Sequence, residues 1–454
     1  IAGMGPAGFT LSHHLLMAGF GVVGTDGLKI EPLSGELIDK PIKHFSDILE
    51  PLSDRVMAGF GGVAEYGITV RWDKNFLKLI YISLSRRSHM QIMGGVRFGG
   101  TVEVDDLWDL GFHHGVIAVG AGLPRALPIK NSLAKGMRQA NDFLMALQLT
   151  GAAKDKSLAN LQLRLPCVVI GGGLTGVDAA TEAQAYYVLQ TEKTLDRYQA
   201  LCDASNETDV RAEFDKESLI IIDEFITHAK AFKAERTRAK AKNETPNFTP
   251  LIREFGGVTI AYRKAIADSP AYRGNHHELY KALEEGLLYA EGLQPVEAVL
   301  DDFNAVSQIV FNQLQQNEEG VWLETENQIT LPAKSVLVAT GAQPNISYTF
   351  EHPKIFKRNG LEYQPYEMTG DGLAVAHRAE HTKTPDFGPF TSYEHEDKHM
   401  TFIGDTHPTF HGNVVGAVAS AYRTYPKIVT LFEADSNADI KQYETFAKRI
   451  QHAF

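Results

Sequence analysis

Two cysteines, Cys167 and Cys202, are all that the 454 residues contain. Within this chain that excludes a disulfide framework, a CxxC redox pair and an Fe–S cluster held by four cysteines, and a reducing, cytoplasmic setting is expected. Uninterrupted apolar runs of the ~18 residues that a membrane-crossing helix needs are also missing, and the first residues do not follow the signal-peptide pattern. Positive charge is in deficit: 44 Lys and Arg against 56 Asp and Glu leave a net charge of −12, which argues against a nucleic-acid-binding surface. Apolar residues are plentiful, at 44%, and can fill the cores of two or three domains. Because Ile1 stands two residues before a glycine turn, most of the strand feeding that turn is expected in a preceding segment.

That first turn lies in "IAGMGPAGFTLSHHLLMAGFGVVGTDG", where Gly3-x-Gly5-x-x-Gly8 leads into a helix-compatible run from Pro6 to Met17 and then an apolar strand ending at Asp26. Glycines suit such a turn because the chain must bend tightly, admit a pyrophosphate close to its backbone and pack the helix on the sheet. Asp26 falls where a carboxylate can accept hydrogen bonds from ribose hydroxyls. A second unit, "CVVIGGGLTGVDAATEA", repeats the pattern with Gly171-x-Gly173-x-x-Gly176. Two such units predict two dinucleotides. Glycines also end the apolar strands around Gly120 and Gly341, each read as a crossover between domains, with an ordinary αβ loop as the alternative that either one alone would favour. Near the C-terminus a strand runs into Gly404-Asp405 and then a helix starting around Gly412 to Val415, so that an acid and a helix N-terminus face ribitol or ribose and phosphate.

The strand after the second turn ends in Tyr262-Arg263-Lys264, where an NAD-specific protein usually carries an acid. Cations there favour a 2′-phosphate, whereas Asp26 repels one and suits the adenosine ribose of FAD. FAD is therefore assigned to the first unit and NADPH to the second. Between the second turn and that strand, about residues 184–254, lies a long, mainly helical insertion. It gathers Lys230, Lys233, Arg236, Arg238, Lys240 and Lys242, which read first as a solvated helical face and secondly as a docking surface for a partner subunit. Residues 27–60 form a second insertion. The histidines His395, His399, His407 and His411 match no ligand spacing, and no metal is expected. His113, His114, His276 and His277 are expected at the surface, with neighbours pointing apart, and Cys167 reads as a small core residue.

With these residues in view, the chain resembles the small (beta) subunit family of glutamate synthase. These are FAD- and NADPH-binding flavoproteins of the pyridine nucleotide-disulfide oxidoreductase superfamily, which also include the large subunit of NADH-dependent ferredoxin:NADP oxidoreductase. "GGVAEYGITVRWDKN" is similar to the family's GG-x-x-x-YGIP segment beside the flavin, and "GMRQANDFL" to the stretch leading into its NADPH domain. "GGGLTGVDAA" is similar to its second glycine turn, "AYRK…SPA…E…ALEEGL" to its Y-R-R…M-P-A signature and "FIGDTHPTFHGNVVGAVASA" to its FAD-closing segment. The resemblance implies that Gly3, Gly5, Pro6, Ala7, Gly8, Asp26, Gly120, Gly404, Asp405, Gly412 and Val415 surround FAD, with Gly62, Tyr66 and Gly67 at its flavin end. It implies that Gly171, Gly172, Gly173, Leu174, Thr175, Gly176, Arg263, Lys264 and Gly341 surround NADPH. Four positions depart from the family: Leu174 replaces Asn, Gly176 replaces Ala, Thr69 stands at the Pro of YGIP, and Lys264 replaces a second Arg. The family's cysteine-rich domain with two Fe–S clusters has no counterpart in these residues.

The fold expected is α/β, with two Rossmann-like dinucleotide-binding domains: FAD domain in residues 1–130 and 343–454, NAD(P)H domain inserted as residues 131–342. The function expected is a flavoprotein oxidoreductase subunit that passes hydride between NADPH and FAD and relays electrons to or from an Fe–S partner domain or subunit. The alternative is a non-catalytic FAD-bearing scaffold or relay subunit of a larger redox complex with a decayed NADPH site. No catalytic side chain is named, because hydride transfer between the two cofactors demands none.

Overall fold

The computed structural model describes residues 1–49, 59–65, 75–377, 379, 381–432 and 440–454. They form two units. The first takes in the described residues of Ile1–Glu65, Val70–Pro124 and Ala342–Phe454, and the second takes in Arg125–Gly341, so the chain leaves the first unit and returns to it.

In the first unit, helix α1 (Pro6–Met17) begins directly after the first glycine turn, with Gly5 as N-cap and Pro6 at the position where a missing N–H is harmless. Strand β1 (Val22–Asp26), helix α2 (Asn75–Ser85), strand β2 (Met90–Gly94) and strand β3 (His114–Ile117) follow. β1 pairs with β2 in parallel, and Ala2 bridges Thr25 on one side and Ile117 on the other, also in parallel. Ile1 and Ala2 thus act as the strand between β1 and β3. His114, expected at the surface, lies in β3 instead; its Nε2 is 3.0 Å from Thr401 Oγ1, and burial pushes its imidazole down to about 3.

The second unit opens with β4 (Met137–Gln139) and α3 (Ala140–Thr150), then β5 (Cys167–Ile170), which is buried along its whole length. Such a run of Cys and β-branched residues suits a central parallel strand covered on both faces. Burial also pushes the Cys167 thiol up to about 12, so it stays an inert core residue. α4 (Leu174–Ala204) and α5 (Lys216–Lys242), with two short helices, make up the long insertion. α5 starts where the Asp215 carboxylate accepts the Ser218 N–H at 2.7 Å and stops at Asn243 in the left-handed region, φ 53°. Its apolar seam, Ile221, Phe225, Ala229, Phe232 and Ala239, is buried, and Phe225 and Phe232 meet the ring of Tyr187 from α4.

β6 (Val258–Ala261), α6 (Pro270–Glu284) and β7 (Leu288–Ala290) continue the sheet. Next come the three strands β8 (Leu293–Leu300), β9 (Val306–Gln316) and β10 (Trp322–Pro332), an antiparallel meander in the order β10-β9-β8. β11 (Ser335–Val338) then completes a five-stranded, all-parallel sheet in the order β4-β11-β5-β6-β7. From β7 inward, β7-β6-β5-β11 runs in the 3-2-1-4 order of a Rossmann-like unit, and the meander packs on one face of the sheet. His276 and His277, on α6, do not point apart as expected: their ring centroids are 4.5 Å apart, both on the exposed side.

The returning chain adds β12 (Tyr366–Thr369), β13 (Gly372–Val375), β14 (Phe390–His395) and β15 (Lys398–Phe402) to the first unit. β15 lies parallel to β3, and the others extend the sheet antiparallel. α7 (Val414–Leu431) packs along α1, and α8 (Ile440–Ala453) ends the chain.

Candidate functional site

The first glycine turn owes two of its glycines to packing. Gly3 has φ +105°, and a Cβ there would lie 2.3 Å from Ala118 O just past β3; a Cβ on Gly8 would lie 1.8 Å from Gly3 O. Gly5 is different. Its φ is −75°, and nothing comes closer than 3.9 Å to where its Cβ would be. The fold leaves that place open, as a pyrophosphate cradle requires. The described part of the "GGVAEYGIT" segment closes on the same turn: Gly61 N–H donates to Met4 O at 3.1 Å, and Gly62 faces Gly5. Tyr66, Gly67 and Thr69 lie outside the described residues.

Two carboxylates stand at this turn. Asp26 ends β1, with Oδ2 accepting the Met4 N–H and Oδ1 the Leu28 N–H, both at 3.0 Å. Asp405 accepts the Gly412 N–H at 2.7 Å, and His411 Nδ1 lies 3.1 Å from the Asp405 carbonyl oxygen. Burial holds both carboxyls above the ordinary aspartate value in spite of these N–H donors. Gly404 packs so closely on α1 that a Cβ would lie 2.9 Å from the Ala7 methyl, and its N–H donates to Ser420 Oγ at 2.7 Å. Gly120 N–H donates to Thr406 Oγ1 at 3.1 Å. Gly3 to Gly8, Asp26, Gly62, Gly120 and Gly404 to Gly412 are thereby brought together at one end of the sheet. At the start of α7, Asn413 caps the helix by accepting the Gly416 N–H, and Val415 is 79% exposed.

The second turn repeats the first glycine for glycine. Gly171 has φ +141°, and a Cβ there would lie 2.1 Å from Ala339 O just past β11; a Cβ on Gly176 would lie 2.7 Å from Gly171 O. Gly173 matches Gly5: φ is −87°, it caps α4 without a side chain, and nothing lies within 4 Å of its Cβ position. Thr175, in the first turn of α4, is exposed. Gly341, with φ +101°, accepts the Arg125 N–H at 3.0 Å where the chain crosses between units.

Beyond β6, no hydrogen bond or ion pair engages the side chains of Arg263 and Lys264 among the described residues; Arg263 is exposed and Lys264 half-buried. Leu174 is half-buried and packs on the main core of the second unit. Sequence reasoning missed Thr406, whose hydroxyl holds Gly120 from a distant part of the chain, and Ser420, whose hydroxyl holds Gly404 from within α7. No local pattern marks them.

The expected basic face is largely engaged within the insertion. Lys233 pairs with Asp196, the Arg236 guanidinium grips Glu192 through two bonds of 2.7 and 3.0 Å, and Arg238 binds Glu235 and Glu244. His407 is buried and hydrogen-bonded on both ring nitrogens: Nε2 faces Gly388 O at 2.9 Å, and Nδ1 accepts the Thr409 N–H at 3.2 Å.

No family model matches the chain. It is 38% identical over 373 residues to an uncharacterised protein of Rickettsia prowazekii (strain Madrid E), covering 78% of this chain and 49% of that protein. The chain spans about half the length of the curated relative it matches. Among solved structures, Mycobacterium tuberculosis FprA in complex with NADPH superposes with a TM-score of 0.52 at 13% identity, covering 100% of this chain and 89% of FprA. A single-residue variant of FprA gives 0.54 at 14% over the same shares. The chain thus has the α/β fold of FprA, with two Rossmann-like units, the second inserted in the first.

Proposed function

We propose that the chain is the FAD- and NADPH-binding part of a flavoprotein oxidoreductase of the glutamate synthase small-subunit type, exchanging electrons with an Fe–S partner. The observation that carries this reading is the pair of matched turns. In each, the outer glycines are demanded by packing and the middle one, Gly5 or Gly173, is left with open space at a helix N-terminus that a pyrophosphate would fill. The following strand ends then divide the ligands. Asp26 presents carboxylate to the first turn, and Arg263 and Lys264 leave two unengaged cations at the second.

When bound, the two cofactors supply hydride transfer between nicotinamide and flavin. The residues of the chain hold and orient them. The N–H groups at the starts of α1 and α4 face the pyrophosphates, and the helix dipoles add to that attraction. Asp26 and Asp405 accept ribose or ribitol hydroxyls on lone pairs that their backbone donors leave free. Arg263 and Lys264 would hold the 2′-phosphate, Arg263 with a planar fork of donors and Lys264 with a point charge. FprA, of the same fold, carries NADPH in its crystal structure, which supports this assignment.

The test is an anaerobic titration of the FAD-loaded protein with NADPH and, separately, NADH, followed by flavin absorbance. NADPH is expected to bleach the flavin at lower concentration than NADH. If neither nucleotide bleaches it, the chain is instead an FAD-bearing scaffold with a decayed nucleotide site, a reading that the apolar Leu174 in the turn favours.

A further inference from the structure

The two glycine turns can be aligned by their backbone bonds as well as by their glycines. In the first, the Gly3 N–H donates to Thr25 O at 2.7 Å; in the second, the Gly171 N–H donates to Ala261 O at 3.0 Å. The strand pairings agree, since Ala2 bridges Thr25 and Ile170 pairs with Ala261, both in parallel. Thr25 and Ala261 are therefore counterparts, and so are the residues that follow them, Asp26 and Tyr262. Arg263 and Lys264 stand beyond that place, level with Gly27 and Leu28. The register thus puts a tyrosine, and neither cation, where the first turn has its carboxylate.

The exchange changes what the turn presents. In the first unit Asp26 Oδ2 accepts the Met4 N–H at 3.0 Å. Met4 is matched by Gly172, and no acceptor engages the Gly172 N–H among the described residues. The Tyr262 ring stands against that glycine instead and leaves no room for a Cβ on it. Tyr262 is fixed there by its own main chain: its N–H donates to Ala290 O at 2.9 Å, and its carbonyl accepts the Leu293 N–H at 3.0 Å. The residue is half-buried. A tyrosine at this place offers no carboxylate to a ribose diol, and it sets no negative charge beside a phosphate.

We propose that Tyr262 is a specificity-determining residue of the second site: in the register place of the ribose-binding acid it denies a 2′,3′-diol its carboxylate, and so leaves the choice of nucleotide to Arg263 and Lys264. The proposal rests on the NADPH reading above. It deepens that reading, because it assigns the rejection of NADH to a residue other than the two cations.

The experiment measures dissociation constants of 2′,5′-ADP and of 5′-AMP for the FAD-loaded protein, as wild type and as Tyr262→Asp, Tyr262→Asn and Tyr262→Phe. Tyr262→Asp is expected to bind 5′-AMP roughly fivefold more tightly, because a charge-assisted bond to the diol is gained. It should bind 2′,5′-ADP roughly tenfold more weakly, because a carboxylate then stands beside the 2′-phosphate. Tyr262→Asn, an acceptor without the charge, should lower the preference for 2′,5′-ADP by roughly fivefold, and it decides the matter if the charged variant does not fold. Tyr262→Phe, which keeps the ring, should hold the preference within about twofold of the wild type. An unchanged preference in the Asp and Asn variants, or an equal weakening of both ligands in them, overturns the proposal alone. So does a preference that falls as far in Tyr262→Phe, since the hydroxyl would then be the deciding group. A wild type that binds neither ligand, or binds both alike, overturns the NADPH reading and this proposal with it.

Discussion

Gly8 and Gly173 look alike in a glycine pattern, but they are glycine for different reasons. At Gly8 the fold itself forbids a side chain, since a Cβ would lie 1.8 Å from a carbonyl oxygen. Gly8→Ala should therefore destabilise the protein by about 1–3 kcal/mol in chemical denaturation. At Gly173 nothing in the fold objects. Gly173→Ala should keep stability within about 1 kcal/mol while weakening NADPH binding roughly tenfold; a matching loss of stability would remove the argument for a cradle. Arg263→Ala should raise the NADPH dissociation constant with little change for NADH, measured by the same titration, because that exposed side chain has no hydrogen bond or ion pair among the described residues to lose. Asp26 and Asp405 add a pH dependence. Their folded-state values lie above that of the unfolded chain, so ionising them opposes folding, and the FAD-free protein loses stability as pH rises through the raised values. A hydroxyl donated to the carboxylate favours the ionised form, so FAD affinity should run the other way and weaken as pH falls through the same window. Flavin release followed by fluorescence across acidic pH checks this. The glycines and Asp26 were legible because they fall in a local strand-turn-helix pattern; Thr406 and Ser420 were not, because a hydroxyl that accepts a glycine N–H follows no such pattern.

The insertion shows the same division among elements. Its helices could be read from composition and from the seam Ile221, Phe225, Ala229, Phe232 and Ala239, which repeats at helical spacing. What holds it to the sheet could not. Glu224 of α5 receives the Arg164 guanidinium at 2.8 Å and the Lys334 ammonium at 2.6 Å, joining the insertion to the chain before β5 and β11. Burial alone would raise the Glu224 carboxyl, but these two cations outweigh it and hold it below its ordinary value. That stabilisation is present above the unfolded value and is lost as pH falls through the lowered one. Glu224→Gln should cost about 2–3 kcal/mol, because both cations would lose their charged partner in a mostly buried place. It should also raise exchange rates along α5; unchanged exchange there would show the triad to be incidental. The basic face of α5 looked free in sequence because Asp196 and Glu192 lie some 40 positions away on α4. With Lys233, Arg236 and Arg238 so engaged, any docking there relies on the remaining lysines.

On the scale of the whole chain, two units with separate ligands predict separable stabilisation. A ligand present at a hundredfold its dissociation constant stabilises the unit that binds it by about 2.7 kcal/mol. Hydrogen exchange should therefore show 2′,5′-ADP protecting residues 125–341 and FAD protecting the first unit; protection of the same residues by both ligands would contradict the assignment. The sequence by itself determined that there are two nucleotide units and which strand end carries acid and which carries cations. In the first unit strand, turn, helix and acid follow one another within about thirty residues, and in the second the cations close the strand that follows the long insertion. Only the tertiary structure decided why each glycine is needed, because the atoms that crowd Gly3 and Gly171 belong to the exits of β3 and β11, more than a hundred residues away. Tertiary packing also decided the meaning of Leu174. In the sequence it stood as a lost amide; in the fold it is a half-buried side chain packed on the apolar core of the second unit.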